Sequence, residues 1–389
     1  MELFTDEIRR RPFALYDQLR RKSPLLYDSS SGLWMIFDYD GVKRVLEDHD
    51  AFSSRNGPEW LIFTDPPQHS KLRGLISQAF TPRSIIDLEP RIEQLTRELL
   101  NRSLGAAEMD LAADFSIPLP ITVIAEMVGV PIEDRARFNA WNDVLLRMSH
   151  VVVGQPSGAI LNEYMAATRE MGIYIAALAE ERRKAPKDDL LSRLVHAQVD
   201  GSQLNDQEIL GFFQLLLLAG SETTTNLINN AVLCFADHAD ELAQLRTRPD
   251  LLPSAIEEVL RYRSPLQWMY RVARRDVEMH GQTIPAGKLV LAWIGSANHD
   301  PTHFPEPEHF DISRNPNPHL AFGHGIHFCL GASLSRLEGR IALRHLLQAM
   351  TSFEVIGGPN WEPRQGLHVH GPSRLPIRFK TNNSGTVAF

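Results

Sequence analysis

Only two cysteines, Cys234 and Cys329, occur in 389 residues, and Cys329 stands in the stretch FGHGIHFCLG from Phe322 to Gly331. A loop thiol there could be inert, zinc-bound, nucleophilic or bound to haem iron. An ordinary buried cysteine would leave the glycines around it unexplained. Gly323 and Gly325 permit positive φ and close backbone approach. The run LGASLSRLEGRIALRHLL predicts a helix directly after the thiol, with Leu330, Leu334, Leu337 and Ile341 on one face. A thiol near a helix N-terminus is favoured as the thiolate, the form that binds metal. His324, His327 and Cys329 offer three zinc ligands, but no second ligand pair and no HExxH helix accompanies them. As a G-x-G-x-x-G dinucleotide fingerprint the loop fails, because Phe328 occupies the third glycine position.

A second stretch with chemistry in it is LLLLAGSETTTNLINN. Four leucines run into Gly220, Ser221, Glu222 and three threonines, poor choices inside a helix. The flanks GFFQLLLL and AVLCF are apolar nearly all round, which predicts burial. A buried Glu and Thr cluster must be hydrogen-bonded or functional. Asn205 with Glu208 predicts a capping box where this helix starts. Elsewhere, Glu258 and Arg261 at i,i+3 share a helix face, as do His69 and Arg73 at i,i+4. Taken alone, either pair reads equally well as solvated surface.

Phe322, Gly325, His327, Cys329 and Gly331 match F-x-x-G-x-H-x-C-x-G, which resembles the haem-binding signature of the cytochrome P450 family. The resemblance implies haem b, with Cys329 as the axial iron ligand, Phe322, Gly323, His327 and Gly331 beside it, and dioxygen as cosubstrate. A thiolate ligand pushes electron density through iron and favours O–O cleavage, and nearby N–H groups temper the sulfur. Ala219, Gly220, Glu222, Thr223 and Thr224 match the family's A-G-x-[DE]-T-[TS]. By resemblance, Glu222 and Thr223 are an acid–alcohol pair relaying protons, and Gly220 lets the helix open locally above the haem. Glu258 and Arg261 match E-x-x-R, and Arg314 of HFDISR completes a structural trio. Two haem propionates need cations when buried, and His69, Arg73, Arg271 and His327 stand at the matching positions. The resemblance spans about residues 10 to 380, with the motifs in the family's order.

Around these residues the chain reads as mostly α with small β-sheets, an α+β arrangement. The resemblance makes this the P450 fold, with a long central helix over the haem and the cysteine loop beneath it. No linker or repeat divides residues 1–389, so one haem-binding domain is expected, a helix-rich body with a smaller β-rich lobe. SPLLYDSSSGLWMIFD predicts a hairpin, and DGVKRVLEDHDAF a helix. FTDPPQHSKLRGLISQAF predicts a helix capped by Thr64 or Asp65 with prolines in its first turn. Helical patterns fill 82 to about 260, broken at Pro118, Pro120, Pro131 and Pro156. VEMHGQTIPAGKLVLAWI and LHVHGPSRLPIRFK predict late strands.

The formal net charge of -8 argues against nonspecific nucleic-acid binding. No stretch has signal-peptide or membrane-span character, and two cysteines make no disulfide framework, so a cytoplasmic protein is expected. No flavin or iron–sulfur segment is seen, so the resemblance implies a separate ferredoxin- or flavodoxin-type electron donor, with Lys71, Arg340 and Arg344 as candidate docking cations. The substrate is expected to be a hydrophobic small molecule, hydroxylated or epoxidised. Trp60, Leu61, Ile62, Leu216, Leu217, Trp268, Met269 and Val369 are candidate pocket lining. RNGPEWLIFT, residues 55–64, is short for the family and predicts a loosely covered pocket. Alternative readings are a peroxide-using or isomerising haem-thiolate enzyme and a non-catalytic haem sensor; Glu222 and Thr223 favour dioxygen.

Overall fold

A computed structural model describes residues 5–58, 60–149, 157–199 and 201–381; Pro156, expected to break a helix, lies outside them. The helices that position the site are, in chain order, α1 (Tyr39–Glu47), α2 (Gln68–Ala79), α3 (Glu89–Ser103), α4 (Pro118–Val128), α5 (Asp206–Asp237), α6 (Leu252–Tyr262) and α7 (Ala332–Ala349). A five-stranded sheet joins β1 (Leu25–Asp28), β2 (Leu33–Ile36), β3 (Phe52–Ser53), β4 (Met269–Ala273) and β5 (Leu289–Ala292). Its order is β1-β2-β5-β4-β3, with β2 and β5 parallel, Trp34 opposite Val290, and the other pairs antiparallel. Val277–Met279 with Gln282–Ile284, and the tail strand Pro376–Thr381 with Met350–Val355, form smaller sheets.

Local chemistry explains the elements. The Asp28 carboxylate accepts hydrogen bonds from Ser30 N–H at 3.1 Å and Ser31 Oγ at 2.6 Å, closing the β1–β2 turn. Pro118 occupies the first turn of α4 and Gly129, at φ +88, ends it, the asymmetry that a missing N–H and a left-handed cap favour. Asn205 Oδ1 accepts from Glu208 N at 2.8 Å, and Glu208 Oε2 accepts from Asn205 N at 2.9 Å. This reciprocal cap starts α5, whose 32 residues reach about 48 Å at ~1.5 Å per residue.

The start of α2 differs from expectation. Both prolines precede the helix, and no side chain caps it. Asp65 is drawn instead to Ser53 Oγ at 2.5 Å, Ser54 N at 2.8 Å and Arg274 at 2.6 Å, while Thr64 Oγ1 donates to Leu61 O. Asp65 thus ties α2 to β3 rather than to its own helix.

α5 runs through the larger of the hydrophobic cores, against α4, α6 and α7. A second core, with Ile36, Val42, Phe52 and Val290, lies between α1 and the sheet. Most of the polar run of α5 is buried and several of its groups are bonded: Ser221 Oγ donates to Leu217 O at 2.8 Å, Thr225 Oγ1 to Ser116 O at 2.9 Å, and Asn230 Nδ2 to Arg263 O at 2.9 Å. No described helix is long and apolar enough to cross a membrane.

Candidate active site around Cys329

The cysteine loop is shaped by backbone geometry. Gly323 and Gly325 adopt φ of +72 and +71. A Cβ on Gly325 would lie 2.8 Å from the Glu47 Cα, so only glycine lets the loop press against the end of α1. Cys329 N–H donates to Phe322 O at 2.9 Å, closing the loop on itself. The Arg336 guanidinium lies 4.4 Å over the Phe322 ring and grips Glu257 of α6 with two bonds of 2.7 Å. Glu257, also paired with His319, is held down to about 2 despite its burial.

Cys329 faces a cavity of about 240 Å³. Burial pushes its thiol up, opposed by the Gly331 and Ala332 N–H groups at the start of α7 and by Arg73 and Arg336. These groups favour the thiolate. His324 pairs with Glu47 at 3.1 Å, and His327 Nε2 meets Ser54 Oγ at 2.9 Å. Neither joins Cys329 in a zinc set, and no cluster of three metal-ligating side chains occurs among the described residues.

Above the thiol, α5 presents Phe212, Leu215, Leu216, Ala219 and Thr223 to the cavity. The spacing is that of one helix face. Thr223 Oγ1 donates to Ala219 O at 2.6 Å, so its oxygen keeps lone pairs free to accept. The helix is unbroken here, so the local opening expected at Gly220 is not present. A Cβ on Gly220 would meet Ile124 Cδ1 at 2.7 Å, so its small size serves the approach of α4. Glu222 does not line the cavity. Its buried carboxylate pairs with Arg364 at 3.1 Å, and Arg364 Nε also bonds Asn226 Oδ1.

At the cavity edge four basic side chains gather. Arg73, Arg271 and His327 line it, and the His69 and His327 rings are 4.3 Å apart. Burial and neighbouring arginines push His69 down to about 4 and His327 to about 3. Arg271 is 3% exposed and lowered to about 10 by burial. Its NH1 donates to the Tyr270 carbonyl at 2.8 Å and Arg73 to the Phe328 carbonyl at 2.9 Å. Neither arginine pairs with a described carboxylate, since the nearby Asp65 is taken by Arg274. The buried His69 Nε2 has no partner. Buried cations without counter-charges are costly, so this edge fits the anionic side of a bound group. An apolar slot, a thiol supported by N–H groups and unmatched cations at one rim together fit haem.

Behind the loop, Glu258 and Arg261 are fully buried. Arg261 binds both Glu258 oxygens at 2.7 and 2.8 Å, and Arg314 Nε reaches them at 3.2 Å. Arg261 also donates to the carbonyls of Asn298, Pro307 and His309.

Leu61, Ile62, Leu216 and Met269 line the cavity; four other candidates do not. Leu217 lies two residues from Ala219, off the helix face, and is core. Trp268 immediately precedes β4, points away from the cavity that Met269 lines, and packs on Trp293 and His368. Val369 bridges Leu266, which takes the cavity position itself. Trp60 donates to Gln214 Oε1 at 3.2 Å and anchors the roof. Phe63 stacks on Tyr270, whose hydroxyl reaches Asn56 O at 2.8 Å. Over residues 60–64 the short segment is seated on Gln214 and Tyr270, with Leu61 and Ile62 in the cavity wall. Arg340 and Arg344 are paired with Glu89 and Glu93 of α3. Sequence reasoning missed Phe80, Ile124, Phe212, Leu215 and Glu338 among the lining. Counting back 4 and 7 residues from Ala219 would have found Leu215 and Phe212.

The cytochrome P450 family model matches residues 6–365. A putative cytochrome P450, YjiB of Bacillus subtilis, is 42% identical over 89% of this chain and 89% of its own length. The monooxygenase PikC of Streptomyces venezuelae is 38% identical over 95% of this chain and 91% of its own. CYP109E1 of Bacillus megaterium in complex with testosterone superposes at a TM-score of 0.87 with 40% identity, covering 95% of this chain and 99% of that one. The chain belongs to the cytochrome P450 family. It is a haem-thiolate monooxygenase with haem b as cofactor and dioxygen as cosubstrate.

Proposed function

We propose that this enzyme oxygenates a neutral, largely apolar molecule of steroid scale at a C–H or C=C bond. One observation carries the substrate class: the walls away from Cys329 are Leu61, Ile62, Phe80, Ile124, Phe212 and Leu216, with no charged side chain among them. Burying an unpaired charge there is strongly unfavourable. A structural relative's occupancy by testosterone fits the same class.

Bound haem supplies the dioxygen chemistry; the chain supplies its setting. Cys329 Sγ would hold the haem iron, with the Gly331 and Ala332 N–H groups tempering the charge of the sulfur. Phe322 and Gly323 form the loop wall, Ala219 and Gly220 the facing wall. Arg73 and Arg271, with His69 and His327, would hold the propionates through charge-assisted bonds. Thr223 Oγ accepts a hydrogen bond from cavity water and positions it for proton delivery. Glu222 joins that delivery only when its pair with Arg364 opens. Glu258, Arg261 and Arg314 fix the scaffold behind the loop. Electrons come from a separate ferredoxin- or flavodoxin-type protein docking near Lys71 on the cysteine side. The whole chain acts as one haem-binding unit in the cytoplasm.

Spectral titration of the ferric, haem-loaded protein tests the substrate class. Neutral steroids should displace the iron-bound water at lower concentration than fatty carboxylates or amines of equal carbon number. Preferential response to a charged ligand would overturn it.

A further inference from the structure

Gln214 is the one polar side chain in the α5 stretch GFFQLLLL, Gly211 to Leu218, and it is 4% exposed. An amide enclosed by apolar neighbours needs partners for both its carbonyl and its NH2. Gln214 Oε1 accepts from the Trp60 indole N–H at 3.2 Å, and its Nε2 donates to Thr168 Oγ1 at 3.3 Å. Thr168 belongs to the helix Gly158–Lys184, which packs on α5. Gln214 therefore joins three elements, although it is no part of the cavity wall.

What it holds is the roof. Leu61–Phe63 form one tight helical turn, in which Phe63 N–H donates to Trp60 O at 2.8 Å and Thr64 Oγ1 to Leu61 O at 2.8 Å. These local bonds fix the shape of the turn but not its height above the cavity. The height is set at its two ends. On one side the Phe63 ring stacks on Tyr270 of β4 at 5.8 Å, with the Gly57 backbone against the same ring, where a Cβ would meet Phe63 Cδ2 at 2.7 Å. On the other side stands the bond from Trp60 to Gln214. Leu61 and Ile62, between these anchors, reach the cavity. A stacked ring can slide at small cost. The indole has a single donor and Trp60 is buried, so moving it away from Gln214 leaves an unpaired N–H inside the protein.

We propose that Gln214 is a positioning residue for ligand size: through Trp60 it fixes how far Leu61 and Ile62 stand from the haem, and so how bulky a bound molecule can be. A leucine at 214 would continue the apolar run and leave the roof anchored at Phe63 alone. The inference rests on the ligand lying in the cavity above Cys329, and not on that ligand being steroid-like.

Two measurements on the haem-loaded protein test it. In the reduced carbon monoxide complex labelled with nitrogen-15 tryptophan, the indole signal missing from Trp60→Phe belongs to Trp60. Its exchange with solvent should be about tenfold faster in Gln214→Leu, the loss expected for one hydrogen bond. Equal exchange overturns the proposal. The second measurement is ferric-state binding of imidazole and of 4-(4-biphenylyl)imidazole, which share an iron-binding ring and differ in bulk. Gln214→Leu and Trp60→Phe should each leave imidazole affinity unchanged and tighten the biphenyl ligand about tenfold. An equal shift for both ligands would mark general loosening of the fold, and no shift would mark a roof held without Gln214; either overturns the proposal. In the double variant neither partner is left unpaired, so its shift should not exceed that of a single variant, and additive shifts contradict the coupling. If Gln214→Leu does not fold, Trp60→Phe carries the ligand test by itself. Failure of neutral steroids to bind would sink the substrate class without moving either readout.

Discussion

The cysteine side of the cavity and its roof are built by different rules. Beneath, the loop depends on positive-φ glycines, a helix start and a buried Glu258–Arg261–Arg314 network. Each has a required residue type at a required place. Above, the walls are Leu61, Ile62, Phe80, Phe212 and Leu216, side chains that many others of similar volume could replace. Holding a cofactor demands fixed geometry, whereas enclosing an apolar molecule demands only shape and dryness. Substitutions beneath should therefore cost the fold or the cofactor, and substitutions above should change only which ligand fits.

The largest effect on stability should come from Glu258→Ala, which leaves Arg261 buried and unpaired. About 3–5 kcal/mol should be lost in denaturant unfolding, as when one partner of a buried pair is removed. A loss near zero would break the contrast. Arg271→Ala should come next, weakening haem retention by about tenfold or more through one lost charge-assisted contact, measured by haem transfer to an acceptor protein. Unchanged retention would mean that the cation rim faces no propionate. The smallest effect should be at the roof: Ile62→Ala should alter affinity for a bulky neutral ligand by about 1–3 kcal/mol while haem retention stays as it was. Altered retention would show that roof and floor are not separable.

Acid sharpens the same contrast. Burial near Arg263 pushes His370 down to about 3, and His69 is pushed down to about 4. Both remain neutral in the folded chain but take protons near 6.5 when unfolded. The unfolded chain thus binds more protons below that value. Their contribution is complete above about 6.5, declines as pH falls from there toward the folded values of 4 and 3, and levels off below them. His370 lies apart from the cavity lining, so its share should persist with haem bound. Denaturant midpoints at pH 7 and pH 5 should show the decline, and equal midpoints would contradict it.

Legibility in the sequence follows the same division. The hairpin, the capping box at Asn205 and Glu208, and the buried polar run of α5 were readable because each follows a local rule. The roof was half readable. Leu216 and Met269 line the cavity, whereas the neighbouring Leu217 and Trp268 do not, as the periods of 3.6 and 2 require. The expected cap at Asp65 failed because tertiary hydrogen bonds from Ser53 and Ser54 outcompeted the local one. The Glu222–Arg364 pair joins positions 142 residues apart, and Glu338 enters the cavity lining only once α5 packs on α7. Neither leaves a local signal.

The central claim, that the Cys329 sulfur holds haem iron, is tested most directly by the absorption spectrum of the reduced carbon monoxide complex. Wild-type protein reconstituted with haem should show the long-wavelength Soret band of thiolate ligation, and Cys329→Ser should lose it. A wild-type spectrum of the imidazole-ligated type, or a variant that keeps the thiolate band, would contradict the account.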